Sequence, residues 1–165
     1  MVTSRVPWVA ALVLLTTSPA APDLTTDLKC NTLASTMRAE AKLCGAVGGV
    51  VPNADARRCL STHASDFSEA ATVCVNAAEN HYEASSPLRG YAANRELIAG
   101  ATFLGIAAEA NIYLDRRELA SAQLASVVKI ATQVMADPQA ADLMVPASNE
   151  LAVAKSLHKA LTSPQ

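Results

Sequence analysis

The sequence predicts an all-α fold, a bundle of about five helices that opens with a long antiparallel hairpin stapled by disulfides. Two features of the composition favour helix: about a fifth of the 165 residues are alanine, and only 4% are aromatic. Alanine has the highest helix propensity, whereas strands are enriched in aromatic and β-branched residues. The third observation is a set of four evenly spaced cysteines in the first half of the chain. A chain of this length is expected to form one domain with an ordinary hydrophobic core.

The first two helices are predicted from apolar residues that recur at helical spacing on either side of a glycine-rich break. Residues 23–46 read as one helix, because leucine, methionine and alanine recur there every three to five positions. Residues 45–52 contain three glycines and a proline and should interrupt the helix. Asn53 is a suitable N-cap for a second helix that extends to about Ala84. Residues 23–84 are therefore expected to fold as a helical hairpin.

The cysteine spacing predicts how this hairpin is stapled. Cys30 and Cys44 are 14 residues apart, and Cys59 and Cys74 are 15 apart. Both separations are close to four helical turns, so each pair lies along one face of its helix. When the helices fold back antiparallel about position 52, Cys44 faces Cys59 and Cys30 faces Cys74. We predict these two disulfides, and their separation of about 21 Å along the hairpin is too large for one metal ion to bind all four thiolates.

Residues 86–162 are predicted to form cysteine-free helices with short connections. A serine followed by proline is a typical helix start, and Asp-Pro is a typical stop. A run of four charged residues is either a turn or an exposed part of one continuous helix. The expected boundaries are Ser86–Pro87, the charged run 115–118, Asp137–Pro138, and Pro146 at the start of the last helix.

The first 20 residues have the layout of a secretory signal peptide. A segment with one basic residue, Arg5, precedes an apolar run at 6–15, and Ser18 and Ala20 occupy the −3 and −1 positions of a cleavage site. The apolar run is too short to span a bilayer. Residues 21–165 are then expected to be a single all-α domain without a membrane span. We expect this domain to act outside the cytoplasm, in the periplasm or the extracellular space.

Charge and motifs argue against several classes of function. A net charge of −2 with scattered signs argues against nucleic-acid binding, which needs a concentrated basic face. The sequence contains no zinc-protease, nucleophile-elbow or phosphate-loop motif. His63 and His81 lie about 27 Å apart if both sit on one helix, too far to act on one substrate, and His158 fits a solvated position near a helix end. We therefore predict no enzymatic activity, no cofactor and no metal site.

The leading hypothesis is a protein-binding or recognition module whose partner is another protein. Disulfide bracing lowers the entropy lost on binding, which suits an exported recognition surface. Tyr82, Arg89 and Tyr91 are the candidate contact residues, because tyrosine and arginine are common interface anchors. The alternative is a carrier of an apolar small molecule or haem, since helical bundles place ligands between their helices.

A further alternative rests on a resemblance in the last predicted helix. Ser148–Ala152 is similar to the closing helix of the plant invertase and pectin methylesterase inhibitors, which are exported helical bundles with four cysteines. This resemblance implies a secreted inhibitor of an enzyme. The even cysteine spacing departs from that family, in which one close and one distant pair of cysteines are joined.

Overall fold

The structure is a computed structural model that describes residues 23–162. The expected signal peptide, residues 1–20, lies outside the described residues and stays a prediction. Within 23–162 the chain forms six α-helices and one 3₁₀ helix, with no strand, so the all-α class is confirmed with one helix more than expected. In chain order the elements are α1 (Leu24–Leu43), α2 (Ala54–Thr62), α3 (Ala64–Ser85), α4 (Gly90–Tyr113), α5 (Arg117–Met135), the 3₁₀ helix (Pro138–Leu143) and α6 (Met144–Thr162).

Capping side chains explain where the first two helices begin. The Asp23 carboxylate accepts a hydrogen bond from the backbone N–H of Thr25 at 3.0 Å, and the Asn53 side chain accepts one from Ala56 at 2.9 Å. The predicted second helix is divided into α2 and α3 because the backbone at His63 leaves helical geometry, with φ −103° and ψ 13°.

The later boundaries differ from the predicted ones by a few residues. α4 starts at Gly90 rather than at the Ser-Pro pair, since residues 86–89 form a connection that opens with a turn and Gly90 has a φ of +57°. The charged run begins in a turn, with Asp115 at a φ of +58°, and its last two residues, Arg117 and Glu118, already belong to α5. α6 starts two residues before Pro146, and a first helical turn accepts proline because its N–H needs no partner there.

Both predicted disulfides are present. The Cα atoms of Cys30 and Cys74 are 5.0 Å apart, and those of Cys44 and Cys59 are 5.5 Å apart. The first disulfide joins α1 to α3, which run antiparallel, and the second joins the end of α1 to α2. The stapled helical hairpin is therefore confirmed, with a break at His63 in its second arm.

α4 is the central helix of the bundle. It contacts α1, α3, α5 and α6, and most of its residues are buried. Small side chains let these neighbours approach closely: a Cβ added to Gly100 would lie 2.4 Å from Cε1 of Tyr82. The largest core cluster combines Met37 and Phe67 of the hairpin with Phe103 of α4. The hairpin therefore shares a hydrophobic core with α4, and α4 packs with α5, the 3₁₀ helix and α6 in two further clusters.

The bundle has two ends that can be defined by the contacts of α1 with α3 and α4. At the first, the last turns of α1 and α4 meet, and Arg38 binds Glu109. We call it the glycine-hairpin end, because two glycines of the segment that follows α1 form a tight hairpin turn there. At the second, which we call the opposite end, the first turns of α1 and α4 meet the last turns of α3. There His81 contacts both Asp27 and Glu96.

Candidate functional site

The glycine-rich segment between α1 and α2 folds as a tight β-hairpin of four residues. Val47 and Val50 exchange two backbone hydrogen bonds, of 3.2 and 3.0 Å. Gly48 and Gly49 form the turn with φ values of +56° and +77°. A two-residue turn with both φ angles positive is the type that suits a hairpin best, and it strongly favours glycine. We call residues 47–50 the glycine hairpin.

The glycine hairpin is anchored to the bundle through Gly49. The backbone N–H of Gly49 donates a hydrogen bond to the hydroxyl of Tyr113 at 3.2 Å. A Cβ at Gly49 would lie 2.8 Å from Leu157 and 3.2 Å from Ile112, so the backbone itself packs against α4 and α6. The side chain of Val51, directly after the turn, is buried in the bundle. These contacts hold the glycine hairpin rigidly against the bundle.

The outer face of the glycine hairpin is apolar and exposed. Val47 and Val50 are 65% and 54% exposed, and Leu43 at the end of α1 is 85% exposed. Residues that pair directly across two antiparallel strands project from the same face, so both valines present their side chains together. Single exposed apolar residues are common on proteins, but a pair held on a rigid turn is an efficient contact surface.

A basic pocket of about 290 Å³ lies beside the glycine hairpin. Two cationic side chains, Arg38 and Lys42, stand one helical turn apart on α1 at its rim. Within residues 23–162 the Lys42 side chain forms no ion pair or hydrogen bond, so its charge is available to a ligand. The remaining lining residues are Ala46, Val47, Gly48, Glu109 and Tyr113.

The floor of this pocket is a buried carboxylate whose hydrogen bonds come from both helices. Arg38 donates to Oε2 of Glu109 through Nε at 2.9 Å and through a terminal nitrogen at 2.8 Å. The Tyr113 hydroxyl donates to Oε1 of Glu109 at 3.0 Å. Burial, followed by the charge of Glu109, raises the pKa of Tyr113, so the phenol stays a donor. Because both oxygens of Glu109 are bonded, this carboxylate positions Arg38 and Tyr113 rather than acting as a free base.

The predicted contact residues Tyr82, Arg89 and Tyr91 lie at the opposite end of the bundle. Tyr82 is half-buried against Gly100, its hydroxyl is buried without a hydrogen-bond partner, and burial raises its pKa. The Arg89 guanidinium donates to the backbone oxygens of Ser86 and Leu88, at 3.3 and 2.7 Å. Tyr91 is 46% exposed at the start of α4. Arg89 and Tyr91 are thus surface residues, whereas most of the Tyr82 side chain is buried.

The histidines occupy three different environments. His81 is buried, with Nδ1 2.8 Å from Glu96 and Nε2 3.1 Å from Asp27, so neither ring nitrogen is free to bind an iron or a substrate. His63 stands at the break between α2 and α3 and faces Glu40. His158 lines an open cleft of about 530 Å³ between α5 and α6. The bundle does not bring these histidines into one site.

The glycine hairpin and its basic pocket are the features that sequence reasoning missed. The string Val-Gly-Gly-Val at 47–50 is a recognised signal for a two-residue hairpin, although the segment was expected only as a break between helices. Arg38 and Lys42 are ordinary helix residues in the sequence. Arg38 and Glu109 are 71 positions apart in the sequence, and no local pattern predicts their contact.

Comparisons with known proteins give no match. No protein-family model, no curated protein and no solved structure matches the chain. Among the helices of residues 23–162, none combines the length and the hydrophobicity that a membrane crossing requires.

Proposed function

We propose that the chain is an extracytoplasmic recognition module that binds another protein through the glycine hairpin. The observation that carries this proposal is the pair of exposed valines, Val47 and Val50, held on a turn whose backbone is fixed by Tyr113. The secretory layout of residues 1–20 and the two disulfides support a place outside the cytoplasm, where disulfides persist.

Rigidity supports a role in recognition. Cys44, which is bonded to Cys59, lies three residues before the glycine hairpin in sequence, and the Gly49 backbone packs on α4 and α6. A preordered surface loses less conformational entropy when a partner binds. Each valine buried in an interface contributes about 1.5 kcal/mol, so two of them supply useful affinity without any large apolar patch.

Charge beside the hairpin supports a partner with a complementary surface. Arg38 and Lys42 line the same pocket as Val47, and Lys42 has no ion pair within residues 23–162. A partner that carries an acidic side chain next to apolar residues would match this surface. Electrostatic matching of this kind raises the association rate and selects among partners.

Binding of a small molecule is the second candidate function, and a different observation favours it. A cleft of about 300 Å³ between α3, α4 and α5 is lined by Asn111 and Gln123. Asn111 is 1% exposed, its Nδ2 donates to Gln123 at 3.0 Å, and its Oδ1 has no partner. A ligand with a hydrogen-bond donor and an apolar body would satisfy that oxygen. Native mass spectrometry of the unreduced chain from its own source would reveal such a ligand, and Asn111→Leu should then release it.

The partner-binding proposal is tested by comparing two ends of the bundle in one assay. The partner is first isolated from the extracellular fraction by crosslinking, and its Kd is then measured by calorimetry for each variant. Val47→Ser with Val50→Ser should weaken binding by about tenfold to a hundredfold, because two buried valines are lost. Leu24→Ser with Leu28→Ser removes comparable exposed apolar surface at the opposite end and should leave the Kd unchanged.

A third variant decides between the glycine hairpin and the contact residues expected from the sequence. If Arg89→Ala with Tyr91→Ala weakens binding and the valine variant does not, the contact lies at the opposite end and the hairpin proposal is wrong. If none of the three variants changes the Kd, neither surface is the interface.

A further inference from the structure

A second cluster of chemically active groups stands at the break between α2 and α3. Glu40 comes from the last turns of α1, His63 is the residue between α2 and α3, and Asp66 lies in the first turn of α3. One ligand atom from each of the three lies within 4.8 Å of the other two. This cluster is separate from the glycine hairpin and from the Glu109 carboxylate, and the proposed function does not use it.

The distance between Glu40 and His63 is unsuited to a hydrogen bond but fits two ligands of one ion. Oε2 of Glu40 is buried without a hydrogen-bond partner and lies 3.5 Å from Nδ1 of His63. Two ligands bound tetrahedrally at about 2.1 Å are separated by about 3.4 Å. A buried carboxylate oxygen without a donor is costly, and a metal ion placed between these atoms would remove that cost.

Charge within the cluster also favours a cation. Glu40 and Asp66 bring two carboxylates within 4.8 Å of each other, and neither pairs with a lysine or arginine within residues 23–162. The imidazole of His63 is stacked on the fully buried ring of Phe67, with centroids 5.9 Å apart, so its orientation is fixed. An oriented imidazole with two carboxylates is a donor set typical of zinc and similar divalent ions.

We propose that Glu40, His63 and Asp66 form a binding site for a divalent transition-metal ion, with Zn²⁺ as the reference ion and a fourth position open to water. The ion would join α1 to the junction of α2 and α3 near the Cys44–Cys59 disulfide. The Sγ atoms of Cys44 and Cys59 also lie within 4.8 Å of a ring nitrogen of His63, but they are bonded to each other in a disulfide and are not ligands in the oxidised chain.

The site is tested by titrating ZnCl₂ into the oxidised full chain without a histidine tag and by recording visible absorption with Co²⁺. We expect one ion per chain. Glu40→Gln and His63→Ala should each weaken binding by at least about tenfold, since even groups outside the inner ligand set matter by that amount. Asp142→Asn and His158→Ala remove an exposed carboxylate and a distant histidine, and these controls should keep the wild-type Kd.

Several outcomes would overturn the site. It is wrong if the oxidised chain binds no Zn²⁺ or Co²⁺, in which case His63 alone offsets the two carboxylates. It is also wrong if binding appears only after reduction of the disulfides, which would assign the ion to Cys44, Cys59 and His63. Asp66→Asn alters an exposed side chain and should leave the circular dichroism spectrum unchanged, so unaltered binding by that variant would remove Asp66 from the ligand set.

Discussion

The two ends of the bundle carry the same kinds of support but use them differently. Each has one disulfide and one buried charged group that joins α1 to its neighbours. At the opposite end, the imidazole of His81 is enclosed between two carboxylates. At the glycine-hairpin end, Arg38 is half-exposed and its guanidinium forms the rim of a pocket. The opposite end therefore closes the core, whereas the glycine-hairpin end holds an accessible surface in place.

The largest difference should come from the two disulfides. Replacing Cys30 and Cys74 with alanine opens a loop of 44 residues, and replacing Cys44 and Cys59 opens one of 15. From loop-closure entropy we expect losses in the free energy of unfolding of about 4 and about 3 kcal/mol, respectively. Urea unfolding of both double variants, monitored by circular dichroism at pH 7, measures the difference.

The two double cysteine variants are matched in two respects. Both double variants keep one disulfide, and alanine adds no polar group to the core. An equal or larger loss from the Cys44–Cys59 variant would contradict loop length as the main cause. It would show instead that the short disulfide stabilises the native glycine-hairpin end directly.

The disulfide pattern could be predicted from the sequence because it follows from helical geometry alone. Separations close to four turns set all four cysteines on facing sides of two antiparallel helices, and a glycine-rich break marks where the chain reverses. The break at His63 could not be predicted in the same way. Ser61, Thr62, Ser65 and Asp66 around His63 have only intermediate helix propensity, but such residues also occur inside continuous helices and do not by themselves specify a break.

The buried charged groups were beyond sequence reasoning for a different reason. Asp27 and His81 are 54 positions apart, and Arg38 and Glu109 are 71 apart. Each of these residues resembles a solvated helix position when read locally. The packing of α1, α3 and α4 brings them together and buries His81 and Glu109. The same packing places Tyr82 against Gly100, which hides most of a tyrosine that the sequence offered as a contact residue.

The second prediction compares the buried charges at the two ends. His81→Leu leaves the buried carboxylate of Glu96 and the part-buried carboxylate of Asp27 without their shared partner, and we expect a loss of about 3 kcal/mol in the free energy of unfolding. Arg38→Met removes the charged hydrogen bonds to Glu109 but leaves the Tyr113 bond, and we expect a loss of about 2 kcal/mol. Urea unfolding at pH 7 measures both.

The exposed ion pair between Lys29 and Glu69 provides the control for this comparison. Both side chains are about half exposed, so Lys29→Met should change the free energy of unfolding by less than about 0.5 kcal/mol. If His81→Leu is no more harmful than this control, the enclosed imidazole does not stabilise the opposite end. If Arg38→Met lowers the free energy of unfolding more than His81→Leu does, the glycine-hairpin end depends more on its buried charge than the opposite end does.

The smallest expected effects concern pH, and they have opposite signs at two glutamates of similar appearance. Burial raises the pKa of Glu96, but hydrogen bonds and charges from Arg95 and His81 outweigh burial, so the pKa lies below its ordinary value. Burial raises the pKa of Glu150, which lies between α6 and α4, and the hydrogen bond from Thr102 offsets only part of that rise. The first carboxylate is stabilised by its neighbours when ionised, whereas the second is destabilised.

The sign of each effect follows from which state of the protein binds the proton more tightly. The lowered pKa of Glu96 means that its contribution to stability is present above the unfolded value of about 4.5 and is lost as the pH falls through the folded pKa. The raised pKa of Glu150 means that the folded state binds the proton more tightly, so ionisation at pH 7 opposes folding. Glu150→Gln should therefore stabilise the protein at pH 7, by less than about 1 kcal/mol because the side chain is partly exposed.

Glu96→Gln should have the opposite effect, with a loss at pH 7 that shrinks below about pH 4.5. Urea unfolding of the wild type and both variants between pH 3 and pH 8 separates the two cases, because this range extends about one unit or more to either side of the ordinary carboxylate pKa. A loss of stability in Glu150→Gln at pH 7 would mean that the ionised carboxylate is favoured where it lies. Burial between α4 and α6 would then not control its charge, and the contrast between a carboxylate with cationic neighbours and one without them would fail.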